Sequence, residues 1–339
     1  MGNSRAISRS IRGLMAACVF ALPVCAWAQV TFRVTFHDPD TLLETWRGPI
    51  ESNLVGAGAL WSKRLLGETE LWIEVQPNPL IAGVECRSFT WSYLDTLEGA
   101  IDVFETGASI HVRNGFPASS FEPDIIVEIH PDFARDELWF DPDPIARTES
   151  VDPLRVDAVS QFARGLGRAL AFDGWMNGND GTFPGTSRSV FDQLVVFDGT
   201  EFSFTGANAV AKYLAPVPLT FGDPFHVGNE PPRPGMDLLD DVMSGMPLTR
   251  GMRYNVSALD FAILQDARVP IILPCPCDLN HDGLVDDVDF LAFTDAYNVY
   301  DCADPAMVQG CPCDFNADAS VDDSDYLIFF VSYEQLLCP

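Results

Sequence analysis

Two short acidic segments, 36 residues apart, constrain this chain more than any other feature. Cys275-Pro276-Cys277-Asp278 returns as Cys311-Pro312-Cys313-Asp314, and each copy opens a 12-residue stretch with oxygen-bearing side chains at alternate positions. In the first, Asp278, Asn280 and Asp282 stand at positions one, three and five, Gly283 at six, Leu284 at seven and Asp289 at twelve. In the second, Asp314, Asn316, Asp318, Ser320 and Asp325 take the same five ligand places, with Ala319 at position six. A hard cation takes six to eight oxygens, and such a loop supplies them by turning every second side chain inward and offering the carbonyl of residue seven. The spacing therefore predicts these ten residues around two Ca²⁺ ions. It also requires Ala319 to adopt the left-handed backbone that glycine normally supplies. Each loop runs into an apolar helix start, Phe290-Leu291-Ala292-Phe293 and Tyr326-Leu327-Ile328-Phe329.

Charge and cysteine usage extend the argument. From Pro274 onward, 66 residues carry fourteen Asp or Glu and no Lys or Arg, so without cations this part repels itself. The whole chain has 20 Lys and Arg against 49 Asp and Glu, a net charge of −29. Nucleic acid is excluded as a partner, because neutralising phosphates needs a basic stripe. Six of the nine cysteines follow residue 270, which points to disulfide stapling in an oxidising compartment. The N-terminus agrees: Arg5, Arg9 and Arg12 form a basic region, Leu14 to Val24 an apolar one, and Ala26-Trp27-Ala28 a cleavage site. Residues 1–28 are read as a signal peptide cleaved near Ala28-Gln29, the product being secreted, extracellular or periplasmic. The apolar run is shorter than the ~20 residues a bilayer needs, so no membrane span is expected. Repeat symmetry pairs Cys277 with Cys302 and Cys313 with Cys338, each 25 apart, leaving Cys275 to join Cys311 and Cys86 as a buried free thiol.

Residues 29–273 read as one α+β domain and 274–339 as a small α-helical, calcium-binding one, with Pro270 and Pro274 marking the linker. Val30 to Phe36 alternates as a strand, Leu42 to Leu66 has helical apolar spacing, and Glu70 to Val75 and Ile125 to Ile129 are further strands. In Val156 to Phe172 the residues Val159, Phe162, Ala163, Leu166, Ala169 and Leu170 share one helical face, and Asp157, Gln161, Arg164 and Arg168 the opposite one. Gly165 and Gly167 sit mid-helix, each costing about 1 kcal/mol against Ala. Loops and hairpins are expected over Phe183 to Phe225, and a short helix over Ala258 to Asp266.

The two acidic loops, with Asp rather than Glu at position twelve and one flanking helix each, resemble the duplicated calcium modules called dockerins, above all the cysteine-bearing variety at the C-termini of secreted bacterial proteins. The resemblance covers residues 274–339. It implies Ca²⁺ binding and docking onto a cohesin-like or cell-surface partner. The string from Val159 to Phe172 looks like a zinc metalloprotease helix, whose pattern is His-Glu-x-Gly-His-Ala-Leu-x-Phe after an apolar lead. The likeness to a secreted bacterial family continues through Gly174-Trp175, Phe202-Ser203-Phe204-Thr205-Gly206, Phe225-His226-Val227-Gly228-Asn229, Met236-Asp237-Leu238-Leu239 and Ser257 to Leu264. It implies a metalloprotease-like domain, but position by position the first His ligand is Arg164, the catalytic Glu is Gly165 and the second His ligand is Arg168. His226 stands at the third-ligand position and Met243 at the Met-turn. A catalytic zinc takes three protein ligands and a water, so no zinc is expected, and without the Glu no base activates that water.

These resemblances imply a secreted, non-catalytic scaffold or binding protein. Arg164 and Arg168 then either hold a carboxylate or sulfate or pair internally with Asp157, Asp223 or Glu230. The alternative is an extracellular, polysaccharide-degrading hydrolase tethered by its dockerin. That reading needs two carboxylates flanking the scissile bond, roughly 5 to 9.5 Å apart, and a carboxylate pair of raised pKa in a cleft would mark it.

Overall fold

A computed structural model describes residues 29–228, 236–272, 276–280, 285–308, 311–316 and 318–335. Residues 1–28, read above as a signal peptide, and Cys275, Asp282, Leu284 and Cys338 fall outside the described residues. Along the chain, β1 (Thr31–Phe36) leads through one 3-10 turn into α1 (Arg47–Ser62). Then come β2 (Glu70–Pro77), β3 (Val84–Ser88), β4 (Trp91–Leu97), β5 (Ile101–Thr106), α2 (Gly107–Asn114), β6 (Ile125–Ile129) and α3 (Pro131–Asp136). Two short strands, β7 (Leu138–Trp139) and β8 (Val156–Asp157), precede α4 (Ala158–Leu170). After it follow β9 (Ser187–Ser189), β10 (Val195–Phe197), β11 (Phe202–Phe204), α5 (Ala207–Tyr213), β12 (Val217–Thr220), β13 (Asp223–Val227) and α6 (Ala258–Asp266). The acidic segment contributes α7 (Asp287–Val299) and α8 (Asp323–Gln335). The class is mixed α+β.

The central sheet has the order β1-β2-β6-β3, with the first three strands parallel and β3 antiparallel at the edge. A parallel strand covered on both faces needs a nearly continuous apolar run, and β6 reads Ile-Ile-Val-Glu-Ile with only the Glu partly exposed. Helix α4 packs on α1 and on β3. It buries Val159, Phe162, Ala163, Leu166, Ala169 and Leu170, the face its spacing predicts.

The glycines of α4 allow that approach. A Cβ on residue 165 would overlap the Cys86 thiol of β3, and one on residue 167 would lie 2.5 Å from Met243 Sδ and 2.9 Å from Trp61 Cζ2. Helix propensity is given up for close packing. Trp61 also donates from Nε1 to the carbonyl of Ala163 at 2.9 Å.

Two expectations gain detail here. Asp157, placed opposite the apolar face of α4, is fully buried as the N-cap of that helix, accepting from Ser160 N at 3.1 Å and from Arg147 at 2.9 Å. The hairpins expected over 183–225 join into one sheet, since β10 to β13 form a four-stranded antiparallel sheet with α5 inserted. Its strands of three to five residues are too short to show a period.

Apolar side chains collect in two clusters, one drawn from Val30 to Val269 and one within the acidic segment. The second contains three pairs of positions 36 apart: Cys277 and Cys313, Val285 and Val321, Phe293 and Phe329. Phe293 stacks on Phe329 at 5.1 Å and on Phe315 at 6.0 Å.

Candidate functional site: two acidic loops and an arginine cluster

The position-twelve carboxylates tie each acidic loop to the helix that follows it. Asp289 Oδ1 accepts from Leu279 N at 2.6 Å and Asn280 N at 3.0 Å, while its Oδ2 accepts from Asp286 N at 3.0 Å and closes a capping box on α7. Thirty-six residues on, Asp325 repeats the set with Phe315 N at 2.7 Å, Asn316 N at 3.1 Å and Asp322 N at 3.0 Å. Both carboxylates are fully buried. In loop two Asp314 accepts from Asp318 N at 3.1 Å and Ala319 N at 2.9 Å, which bends the loop around its first carboxylate. Asn316 donates to Asp318 Oδ2 at 2.9 Å, and Ser320 N donates to Asp318 Oδ1 at 2.9 Å. Those bonds, Asn316's first, hold the Asp318 carboxyl below its ordinary range.

Carboxylate oxygens of Asp314, Asp318 and Asp325 lie within 4.8 Å of one another. Oxygens that share one Ca²⁺ at 2.3–2.6 Å lie no farther apart than about 5 Å, so the set fits such an ion. Ala319 holds φ at +71°, the left-handed conformation its loop position requires. In loop one, Asp278 is buried and the backbone of Asn280 is bonded to Asp289, while Asp282 and Leu284 lie outside the described residues.

Cysteine pairing departs from the symmetric expectation. Cys302 is bonded to Cys311, and Cys277 and Cys313 are free thiols in the aromatic core, so neither Cys277–Cys302, Cys313–Cys338 nor Cys275–Cys311 is formed. The reason is that the segment after α7 crosses to the other repeat. Val321 N donates to Tyr300 O at 2.8 Å, Cys302 N donates to Ala319 O at 3.2 Å, and Asp301 bridges Ser320. Cys302 is thereby set beside Cys311 at the start of loop two. Cys86 is buried and free, with burial pushing its thiol up to about 12.

In the larger domain, α4 and β13 bring Arg164, Arg168 and His226 together. Arg168 lies between two carboxylates, 3.3 Å from Asp173 and 3.3 Å from Asp223, with its guanidinium 5.2 Å from the centre of the Phe225 ring. His226 Nδ1 sits 3.0 Å from Asp223 Oδ2. Arg164 donates from Nε to the carbonyl of Val242 at 2.8 Å. Gly165 faces away, onto Cys86, and Met243 is buried beneath α4 against Gly167.

The electrostatics follow from this crowding. Burial lowers His226 by more than the Asp223 carboxylate raises it, and the charges of Arg168 and Arg164 add to the lowering, so the imidazole stays below its ordinary value. Burial pushes Asp223 up, but His226 and Arg168 more than reverse it and hold the carboxyl at about 2. Burial raises Asp173 despite Arg168. Of the internal partners expected for the arginines, Asp223 is engaged, Asp157 belongs to Arg147, and Glu230 lies outside the described residues. Asp173 was missed in the sequence, although it follows Arg168 by only five positions. One imidazole facing a carboxylate between two guanidiniums does not fit zinc, which needs three donor ligands.

Two other buried acids, Asp241 and Asp260, both have raised pKa, from burial first and, for Asp260, from Asp241's charge next. They do not line a cleft. Asp260 is fully buried and closes the capping box of α6 with Ser257, and Asp241 is nearly as buried. No helix among the described residues is long and apolar enough to cross a membrane. No protein family, curated protein or solved structure matches the chain.

Proposed function

We propose that this chain is a secreted, non-catalytic binding or scaffold protein, a metalloprotease-like domain without its zinc chemistry followed by a dockerin-like module that binds two Ca²⁺ ions. The observation that carries the reading is the convergence of Asp314, Asp318 and Asp325 in a loop whose Ala319 accepts left-handed backbone. A strained alanine and three like charges within 4.8 Å make sense together when a divalent cation offsets the repulsion. Attachment is the role we assign to the module. Leu291 and Leu327, equivalent positions of α7 and α8, and Val331 beside them are exposed. The module has no Lys or Arg, so the partner that fits is cohesin-like or another cell-surface protein with an apolar patch and a basic rim.

For the larger domain the support lies in the arrangement around α4. Met243 packed under the helix against Gly167 and His226 beside Asp223 near the helix are consistent with that resemblance and support the reading. Arg164, Gly165 and Arg168 supply neither ligands nor base. The tethered-hydrolase alternative gains nothing from the acids: Asp173 and Asp223 are both engaged by Arg168, and Asp241 and Asp260 are inside the fold. The test is metal analysis of the mature protein after dialysis against calcium, with casein and gelatin as substrates. Two Ca per chain, no stoichiometric Zn and no cleavage are expected; one tightly held Zn, or zinc-dependent cleavage, would overturn the non-catalytic assignment.

A further inference from the structure

The Cys302–Cys311 bond closes one end of a clamp on loop two. Cys302 Sγ lies 3.7 Å from Asp314 Oδ2, the oxygen that accepts from Ala319 N, and Asp314 N donates to Cys311 O at 3.1 Å. The sulfur bridge therefore sits where position one of the loop begins. The other end is backbone: Cys302 N donates to Ala319 O at 3.2 Å, Val321 N donates to Tyr300 O at 2.8 Å, and Asp301 bridges Ser320 at position seven. Residues 300–302 thus grip the loop at positions six to eight through the backbone and just ahead of position one through sulfur. What they grip is strained. Tyr300, Cys311 and Ala319 hold φ at +71°, +47° and +71°, three non-glycine residues in left-handed backbone within one contact network. Such conformations persist where the surrounding bonds over-determine them, and they gather at ligand clamps. Three backbone hydrogen bonds and one sulfur bridge hold them here, against the mutual repulsion of Asp314, Asp318 and Asp325.

We propose that the Cys302–Cys311 disulfide is a positioning device for the calcium site of loop two, so that calcium affinity there and the redox state of this bond are linked. The inference rests on the calcium reading above and names what controls that site. Without the bridge, Cys311 is free to leave left-handed backbone, the bond from Asp314 N goes with it, and the first carboxylate moves away from Asp318 and Asp325, which repel it. The remaining hydrogen bonds keep the course of the loop but not the spacing of its oxygens. Linkage runs both ways: calcium, which binds the bridged form more tightly, must favour the disulfide by the same factor. The bond is also within reach of a reductant. Cys302 and Cys311 are half-buried, whereas the other described cysteines, Cys86, Cys277 and Cys313, are buried thiols, so a dithiol meets this pair first. The exchange breaks the S–S bond, delivers two electrons and two protons to give two thiols, and leaves the dithiol as its own disulfide.

The test is calorimetric calcium titration of the mature chain beside its Cys302→Ser/Cys311→Ser variant, with loop one as the internal control and Asp314→Ala marking which site is loop two. Loop two should bind at least about tenfold more weakly in the double variant, or ~1.4 kcal/mol, and loop one should be unchanged. Unchanged affinity at both sites, or an equal loss at both, would overturn the inference. Should the variant fail to fold, the wild-type chain is equilibrated in graded mixtures of reduced and oxidised dithiothreitol, with calcium and with EDTA, and the Cys302 and Cys311 thiols are counted by alkylation and peptide mass spectrometry. Saturating calcium should raise the ratio of reduced to oxidised dithiothreitol needed for half-reduction at least about tenfold, by the same linkage. An identical midpoint with and without calcium would sink it. A wild-type chain that binds no calcium defeats the calcium reading and this inference with it, whereas two calcium sites indifferent to the double substitution defeat this inference alone.

Discussion

An alanine at φ +71° pays for the sharp turn of loop two in strain. Left-handed backbone costs a non-glycine residue roughly 1 kcal/mol or more, so Ala319→Gly should tighten calcium binding at that loop about fivefold or better. Calorimetry on the variant checks it, and unchanged affinity would mean the strain is absent in the bound state. Gly165 makes the opposite case. Substituting Ala there gains about 1 kcal/mol of helix propensity yet drives a Cβ into the Cys86 thiol, so Gly165→Ala should lower stability by about 1 to 3 kcal/mol. Adding Cys86→Ala should recover part of the loss in urea unfolding; no interaction between the two changes would contradict the packing described. The demand on Ala319 was legible because it lies within a 12-residue loop. The reason for Gly165 was not, because Cys86 lies in a strand the sequence did not signal, 79 positions away.

Among the elements, α1, α4, α6, β1, β2 and β6 could be read in advance because each is long enough, or apolar enough, to show its period. Strands β3 to β5 and helices α2 and α5 could not: β4 is largely exposed and α5 spans seven residues. The cysteine pairing was misread for a different reason, since equal spacing within repeats says nothing when the tail of one repeat pairs with the loop of the other. Helix α6 offers a test in pH. Burial and Asp241 raise Asp260 well above its ordinary value, so the folded chain keeps a proton that the unfolded chain releases above about pH 4. Stability from this group therefore declines as pH rises through the folded pKa. Asp260→Asn retains an acceptor for Ser257 N and removes the titration, so its stability relative to the wild type should rise between about pH 4 and pH 7. A constant difference in urea midpoints across that range would rule the coupled pair out.

At the scale of the whole molecule, charge is concentrated where the core is smallest. The 66 residues from Pro274 carry fourteen acids and no Lys or Arg, around a cluster of eight buried apolar residues and cysteines. Removing calcium should therefore expose this segment to protease first and leave residues 29–273 resistant, with sodium chloride partly substituting by screening. Limited proteolysis in EDTA, read by mass spectrometry, locates the cuts. Cuts spread evenly over both parts would contradict the picture of a calcium-dependent module beside an independent core. The central claim is that the two acidic loops hold calcium, and calorimetric titration of the calcium-free mature chain tests it most directly. Two sites of unequal affinity are expected, the weaker being the loop that contains Ala319 and the one lost in Asp314→Ala. Absence of calcium binding, or a titration that Asp314→Ala leaves unchanged, would contradict the account.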